Sequence, residues 1–190
     1  MKKWTALGLA IIAAVLLLLL PNKPKQQYYH NQGKIFGTYY NIRYESTVDL
    51  HEEIKAQLQE VDASLSMFNP QSVISKINRN EECTTDTLFE WMYREAYTIS
   101  ELSSGAFDIT VAPLVNAWGF GTKGQTPTTS NKICIDSIMP YIGYYKTNLI
   151  DHQIEKNDPR ITLDASAIAK GYACDVVANM LRNEGCANLL

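Results

Sequence analysis

One run of residues limits the fold more than any other. It is Ser103-Ser104-Gly105-Ala106-Phe107-Asp108-Ile109-Thr110-Val111-Ala112-Pro113, continuing through Leu114 to Gly121. Gly105 lets the backbone turn and come close to a neighbour, because it has no Cβ. Apolar Phe107, Ile109 and Val111 then alternate with Asp108 and Thr110, the period of a half-buried strand. Pro113 ends that strand, since proline has no N–H to give a ladder. An acid beside a glycine hinge, with Phe107 offering a flat face, reads as a ligand-binding lip. A strand with one solvated face and a capping glycine is the plainer alternative.

The segments before this run are helical. Leu50, Ile54, Leu58, Val61 and Leu65 form one apolar stripe over Asp49–Leu65, with Glu52 and Glu53 suited to the first turn. Ser66-Met67-Phe68-Asn69-Pro70 breaks that helix, and Val73–Asn78 reads as a short one. Thr84, Thr85 and Asp86 are candidate caps for a helix over Thr87–Leu102. Its expected buried face is Leu88, Trp91, Met92, Ala96, Ile99 and Leu102. Gly105 is the expected stop of that helix.

Strands are expected over Ile35–Tyr44, Lys146–Glu155 and Arg160–Leu163, the last two joined at Asn157-Asp158-Pro159. Asn131–Met139 reads as a short helix. Ile168, Ala169, Tyr172, Ala173, Val176, Val177, Met180 and Leu181 then recur at helical spacing, with Asp164 and Ser166 as candidate caps. Lys170 falls in the first turn. A helix start offers free N–H groups and partial positive charge, and a lysine adds a full one, a combination suited to a pyrophosphate. Asn188–Leu190 reads as the beginning of a strand. The whole is expected to be α+β, a mostly antiparallel sheet with packed helices, preceded by an N-terminal apolar anchor helix.

That anchor is Trp4–Leu20, seventeen residues without charge, behind Met1-Lys2-Lys3. A basic head and an apolar core form an export signal. No small-x-small cleavage site is evident, so an uncleaved signal anchor is favoured over a cleaved signal peptide. No cysteine follows the run, so a lipid anchor is not supported. Residues 1–27 are read as this signal with a short linker and 28–190 as the folded part, lying outside the cytoplasm and held at the inner membrane. Beyond Lys25 the chain has 13 Lys+Arg against 20 Asp+Glu, a net charge of −7. Such an acidic body argues against nucleic acid as a partner.

Cys83, Cys134, Cys174 and Cys186 form no C-x-x-C pair, and His30, His51 and His152 are scattered in polar, surface-like contexts. Neither set has metal-ligand spacing; one disulfide fits an oxidising compartment but cannot be assigned from the sequence, and small buried apolar groups are the favoured reading of the cysteines. Gly119-Phe120-Gly121-Thr122-Lys123-Gly124 spells G-x-G-x-x-G, but a dinucleotide fingerprint must follow a strand and open a helix. Here Pro127 and a Thr/Ser run follow, so these glycines are read as a loop. No S-x-x-K occurs, which disfavours a β-lactamase-like hydrolase.

Two stretches carry a resemblance. Ser103–Gly121 resembles the signature of the FAD:protein FMN transferase (ApbE) family, and Leu163-Asp164-Ala165-Ser166-Ala167-Ile168-Ala169-Lys170-Gly171-Tyr172-Ala173-Cys174-Asp175 resembles that family's second motif. The similarity runs from about Phe36 to Leu190. It implies a T-fold-like α+β domain and a transferase that splits FAD with the aid of Mg²⁺. The FMN part would go to a threonine hydroxyl of an acceptor protein, typically a membrane redox subunit, with release of AMP. Flavin contacts implied by the match are Phe36, Phe68, Asn69, Ala106, Phe107, Asp108 and Lys170. The family usually has Met where Phe36 stands. The position of Ala167 is one whose backbone carbonyl binds Mg²⁺. No catalytic base is implied. Family members continue beyond the equivalent of Leu190, so the chain is expected to hold only the N-terminal part of such a domain. Two other functions fit the same residues: a flavin-binding module without transfer, and a membrane-anchored structural protein without ligand.

Overall fold

The computed structural model describes residues 25–121 and 135–190. The apolar segment Trp4–Leu20, the G-x-G-x-x-G loop beyond Gly121 and Cys134 lie outside the described residues. Among those described, no helix is long and apolar enough to cross a membrane.

The chain opens with a hairpin, β1 (Gln27–Ile35) and β2 (Thr38–Ser46), paired antiparallel from Gln27↔Ser46 to Ile35↔Thr38. The expected strand over Ile35–Tyr44 is therefore cut by a turn. Phe36 (φ 54°) and Gly37 (φ 70°) both have positive φ, which a two-residue turn of the I′ type needs. On its other edge β2 meets the end of the chain. Glu45 and Ala187 exchange backbone bonds of 3.0 and 3.1 Å, and Arg43 and Leu190 exchange bonds of 2.7 and 2.8 Å. Asn188–Leu190 thus pairs as a strand beginning would, with Asn188 (φ 50°) taking up one extra residue.

Helix α1 (His51–Leu65) follows the expected stripe, burying Ile54, Leu58, Val61 and Leu65. Each such side chain contributes about 1.5–3 kcal/mol on burial. No side chain of its N-cap residue Leu50 closes it; the Tyr44 hydroxyl instead accepts the Leu50 amide at 2.6 Å and donates to Asp49 Oδ1 at 3.1 Å. Burial of Tyr44 is the main reason its hydroxyl is pushed up to about 12. Helix α2 (Val73–Asn78) is capped by Ser72, whose hydroxyl accepts the Ser75 amide.

Helix α3 (Thr87–Leu102) is capped by Asp86, as its position suggests, and ends before Ser104 and Gly105 with the Gly105 amide bonded to the Ser100 carbonyl at 2.8 Å. Its buried face is turned from the expected one. Phe89, Met92, Tyr93, Ala96 and Ser100 are buried, while Trp91, Ile99 and Leu102 are exposed. Trp91 is stacked flat on Tyr172, centroids 4.1 Å apart.

The expected strand Phe107–Val111 does not form. Asp108 is extended, its Oδ1 accepts the Thr110 amide at 2.8 Å, and Ile109–Val111 winds into a 3₁₀ turn. That turn leads into α4 (Ala112–Ala117), so Pro113 opens a helix rather than ending a strand. After α5 (Ile135–Ile138) comes a second hairpin, β3 (Thr147–Ile150) and β4 (Gln153–Lys156). Its turn is Asp151-His152, both at positive φ, inside the segment expected as one strand. Arg160–Leu163 joins no sheet; Leu163 pairs instead with the side chain of Asn78. The last helix, α6 (Ala169–Asn183), buries Ala169, Ala173, Val177 and Leu181.

The antiparallel elements are two separate hairpins, and the core lies among α1, α2, α3 and α6 with Tyr44, Ile109 and Leu163. Of the described cysteines, all unpaired, Cys186 is buried as expected, Cys83 is half-buried and Cys174 is exposed on α6.

Candidate functional site

The two informative stretches meet through their backbones. The Asp164 amide donates to the Ile109 carbonyl at 2.7 Å, joining the segment after Leu163 to the 3₁₀ turn of the first stretch. Asn78 of α2 holds the other side. Its amide nitrogen donates to the Leu163 carbonyl at 2.9 Å and its oxygen accepts the Leu163 amide at 2.7 Å. A single side chain thus supplies both bonds that a neighbouring strand would have given to fully buried Leu163.

A cavity of about 880 Å³ opens over this junction. Ala106, Phe107 and Asp108 line it from the first stretch, Asp164 and Ala167 from the second, and Tyr144 from the segment before β3. Asp164, read as a helix cap, is not one. Its Oδ1 closes a local turn on the Ser166 amide at 2.8 Å, and its other oxygen has no partner among the described residues. The residue at the N-cap of α6 is Ile168, which makes no side-chain bond there.

The start of α6 is therefore open. The amides of Ile168 and Ala169 share the Ala165 carbonyl at 2.9 and 2.8 Å, but those of Lys170 and Gly171 have no backbone partner among the described residues, nor has the Ala167 carbonyl. Two free N–H groups and the helix dipole favour an anion at this end. Lys170 adds a full charge. Its side chain is exposed and its Nζ lies 3.3 Å from the Ser166 carbonyl.

Lys170 does not line the cavity that Asp108 lines. It faces a second one, of about 530 Å³, between the β1–β2 hairpin and α6. Phe36, Tyr40, Leu58, Cys174 and Leu181 form much of that wall. The residues around the open helix start divide between the two cavities: Ser166 and Ala167 line the first and Lys170 the second, and Lys170 Nζ reaches the Ser166 carbonyl. Of the residues implied as flavin contacts, Ala106, Phe107 and Asp108 fall in the first cavity, with Ala167, and Phe36 and Lys170 in the second. Phe68 and Asn69 line neither. Phe68 is 67 % exposed, and Asn69 holds a turn, donating to Asp62 Oδ2 at 2.9 Å and accepting the Gln71 amide at 2.9 Å.

Sequence reasoning missed Asp164 and Tyr144 as cavity residues. The position of Asp164, an acid just ahead of a helical period, gives a capping signal that hides any other role. Nothing local to Tyr144 distinguishes it from its neighbours Tyr141 and Tyr145.

The sequence profile of the ApbE family matches residues 36–190. The FAD:protein FMN transferase of Vibrio cholerae serotype O1 is 31% identical over 199 residues, covering 100% of this chain and 58% of the relative. That of Haemophilus influenzae is 30% identical over 173 residues, covering 83% of this chain and 50% of the relative. Among solved structures, the flavin transferase ApbE from Vibrio cholerae superposes with a TM-score of 0.80 at 30% identity, covering 87% of this chain and 56% of that one. The chain spans about half the length of the curated relatives it matches.

Proposed function

The chain belongs to the ApbE family, and from that membership we propose that it carries the flavin-nucleotide-binding part of an FAD:protein FMN transferase. The observation that carries the reading is the junction of Asp164 with Ile109, which makes one cavity wall out of both family stretches beside an uncapped helix start. FAD is two planar ring systems joined by a pyrophosphate. An open helix start between two cavities suits that outline, with the diphosphate at the Lys170 and Gly171 amides and a ring system to each side.

In the reaction, the threonine hydroxyl oxygen of an acceptor protein attacks the phosphorus on the FMN side of the pyrophosphate. A new P–O bond forms, the bond to the AMP phosphate breaks, and the hydroxyl proton is lost to solvent or to a base. The chain's own contribution is to hold the diphosphate in line and to offset its charge with the helix amides and Lys170. The residues also suit Mg²⁺ in part. The unpaired Ala167 carbonyl and the free Asp164 oxygen are hard oxygen donors on one cavity wall, although the described residues hold no cluster of three His, Cys, Asp or Glu side chains. When bound, the ion supplies further charge neutralisation at the pyrophosphate. The basic head and apolar run Trp4–Leu20 support an anchored position on the outer side of the inner membrane, where a membrane redox subunit is the acceptor.

The test is direct. The full chain is incubated with FAD, Mg²⁺ and a threonine-bearing acceptor, and the acceptor is examined under denaturing conditions. A fluorescent acceptor band with AMP released in equal amount is the expected result. FAD bound without AMP release would reduce the role to flavin binding, and neither binding nor transfer would reject the reading.

A further inference from the structure

Asp108 lies on the wall of the first cavity, yet its carboxylate is turned to the protein. Oδ1 accepts the Thr110 amide at 2.8 Å and the Thr110 hydroxyl at 2.6 Å, and Oδ2 accepts the Tyr144 amide at 2.9 Å. The Thr110 oxygen in turn accepts the Gly143 amide at 2.7 Å. Thr110 is fully buried. Two consecutive amides, those of Gly143 and Tyr144, therefore hang from two side chains of the first stretch, 33 and 36 residues away in the chain. The segment they hold is tightly shaped. Gly143 has φ 142°, and a Cβ there would meet the Tyr145 ring at 3.0 Å.

The product of this bracket is the placement of one ring. Tyr144 lines the cavity, with Tyr97 and Tyr145 near-perpendicular to it at 5.2 and 5.7 Å, so neither neighbour stacks flat upon it. We propose that Tyr144 is a stacking contact for a planar ring of the bound nucleotide, and that Asp108 and Thr110 are the positioning residues that hold it there. This rests on the reading of the cavity as a flavin-nucleotide site. The bracket explains why an acid is needed. Three donors converge on Asp108, and only an ionised carboxylate is acceptor on both oxygens. Asparagine would set an NH₂ group against the Tyr144 N–H or release Thr110.

The experiment has two arms on the full chain. Hydrogen exchange at the Gly143 and Tyr144 amides needs no ligand. Asp108→Asn and Thr110→Val should each speed it at least about tenfold, with α3 and α6 amides unmoved, while Thr110→Ser retains protection. In the second arm FAD, FMN and AMP are titrated separately. Tyr144→Ala should weaken binding about tenfold, Tyr144→Phe should not, and Asp108→Asn should add nothing to Tyr144→Ala. A loss confined to AMP identifies the ring as adenine and one confined to FMN as the isoalloxazine; both support the contact. Unchanged exchange in Asp108→Asn and Thr110→Val overturns the bracket alone. Unchanged affinity in Tyr144→Ala, with the unaltered chain binding FAD, overturns the contact alone. No binding of any of the three nucleotides by the unaltered chain overturns the contact together with the reading it rests on.

Discussion

A carboxylate that accepts three internal bonds behaves differently from one that waits for a ligand. Asp108 is the first kind and Asp164, with one oxygen unpartnered among the described residues, is the second. From residue types alone the two are hard to tell apart, because the partners of Asp108 include an amide 36 residues away. Other acids of the chain are also committed, and this has a pH signature. Arg160 beside Asp158 holds that carboxyl down at about 2. The His152 ring bonded to Glu90, with Thr85 and Arg94, lowers that carboxyl too. At Asp49 burial works the other way, but bonds from Asn31 and Tyr44 and from the His51 amide leave it below the usual range. Since these folded values lie below the unfolded ones, near 4, the stability they contribute is complete above that range. It is lost as pH falls through the folded values. Asp49 is exposed, and Glu90 and Asp158 are half-buried beside exposed partners, so the effect is modest. Urea midpoints measured from about pH 6 down to about pH 2 should fall continuously below about pH 4.5; a flat profile would contradict these pairings.

At the scale of elements, the longer helices were legible, while α4 and the hairpins were not. The α1 stripe repeats apolar residues every three to four positions, and its buried set is the one expected. In α3 two apolar stripes overlap, and the helix uses the one through Phe89, Met92, Tyr93 and Ala96, leaving Trp91 to stack on Tyr172. Both hairpins turn on pairs, Phe36-Gly37 and Asp151-His152, other than the Asn-Gly or Asp-Gly that marks such turns, so each was read as unbroken strand or misplaced by several residues. The strand read into Phe107–Val111 failed for a local reason. Asp108 captured the Thr110 amide before a ladder could. Phe36 offers an element-scale test. A phenylalanine at φ 54° is held against its backbone preference by the turn, and it also walls the second cavity. Asparagine tolerates that conformation better than alanine. Phe36→Asn should therefore be more stable than Phe36→Ala, by roughly 0.5–1 kcal/mol, while both weaken FAD binding several-fold. Chemical denaturation and FAD titration of the two variants would check it; equal stability, or affinity unchanged in both, would count against the role given to this turn.

Across the whole molecule, one arrangement carries the account: two cavities flanking the uncapped start of α6, with Lys170 beside the second and Asp164 in the first. The family motifs were legible in the sequence, but the division of their residues between two cavities was not. It depends on the long-range bonds of Asn78 to Leu163 and of Asp164 to Ile109. If a dinucleotide spans the helix start, joining the two halves gives more affinity than either half alone. The measurement is equilibrium titration of the full chain with FAD, FMN and AMP, repeated on Lys170→Glu. The predicted result is FAD binding more than about tenfold tighter than either half, with most of that advantage gone when the charge at the helix start is reversed. FAD binding no tighter than FMN, or an advantage that survives Lys170→Glu, would contradict it.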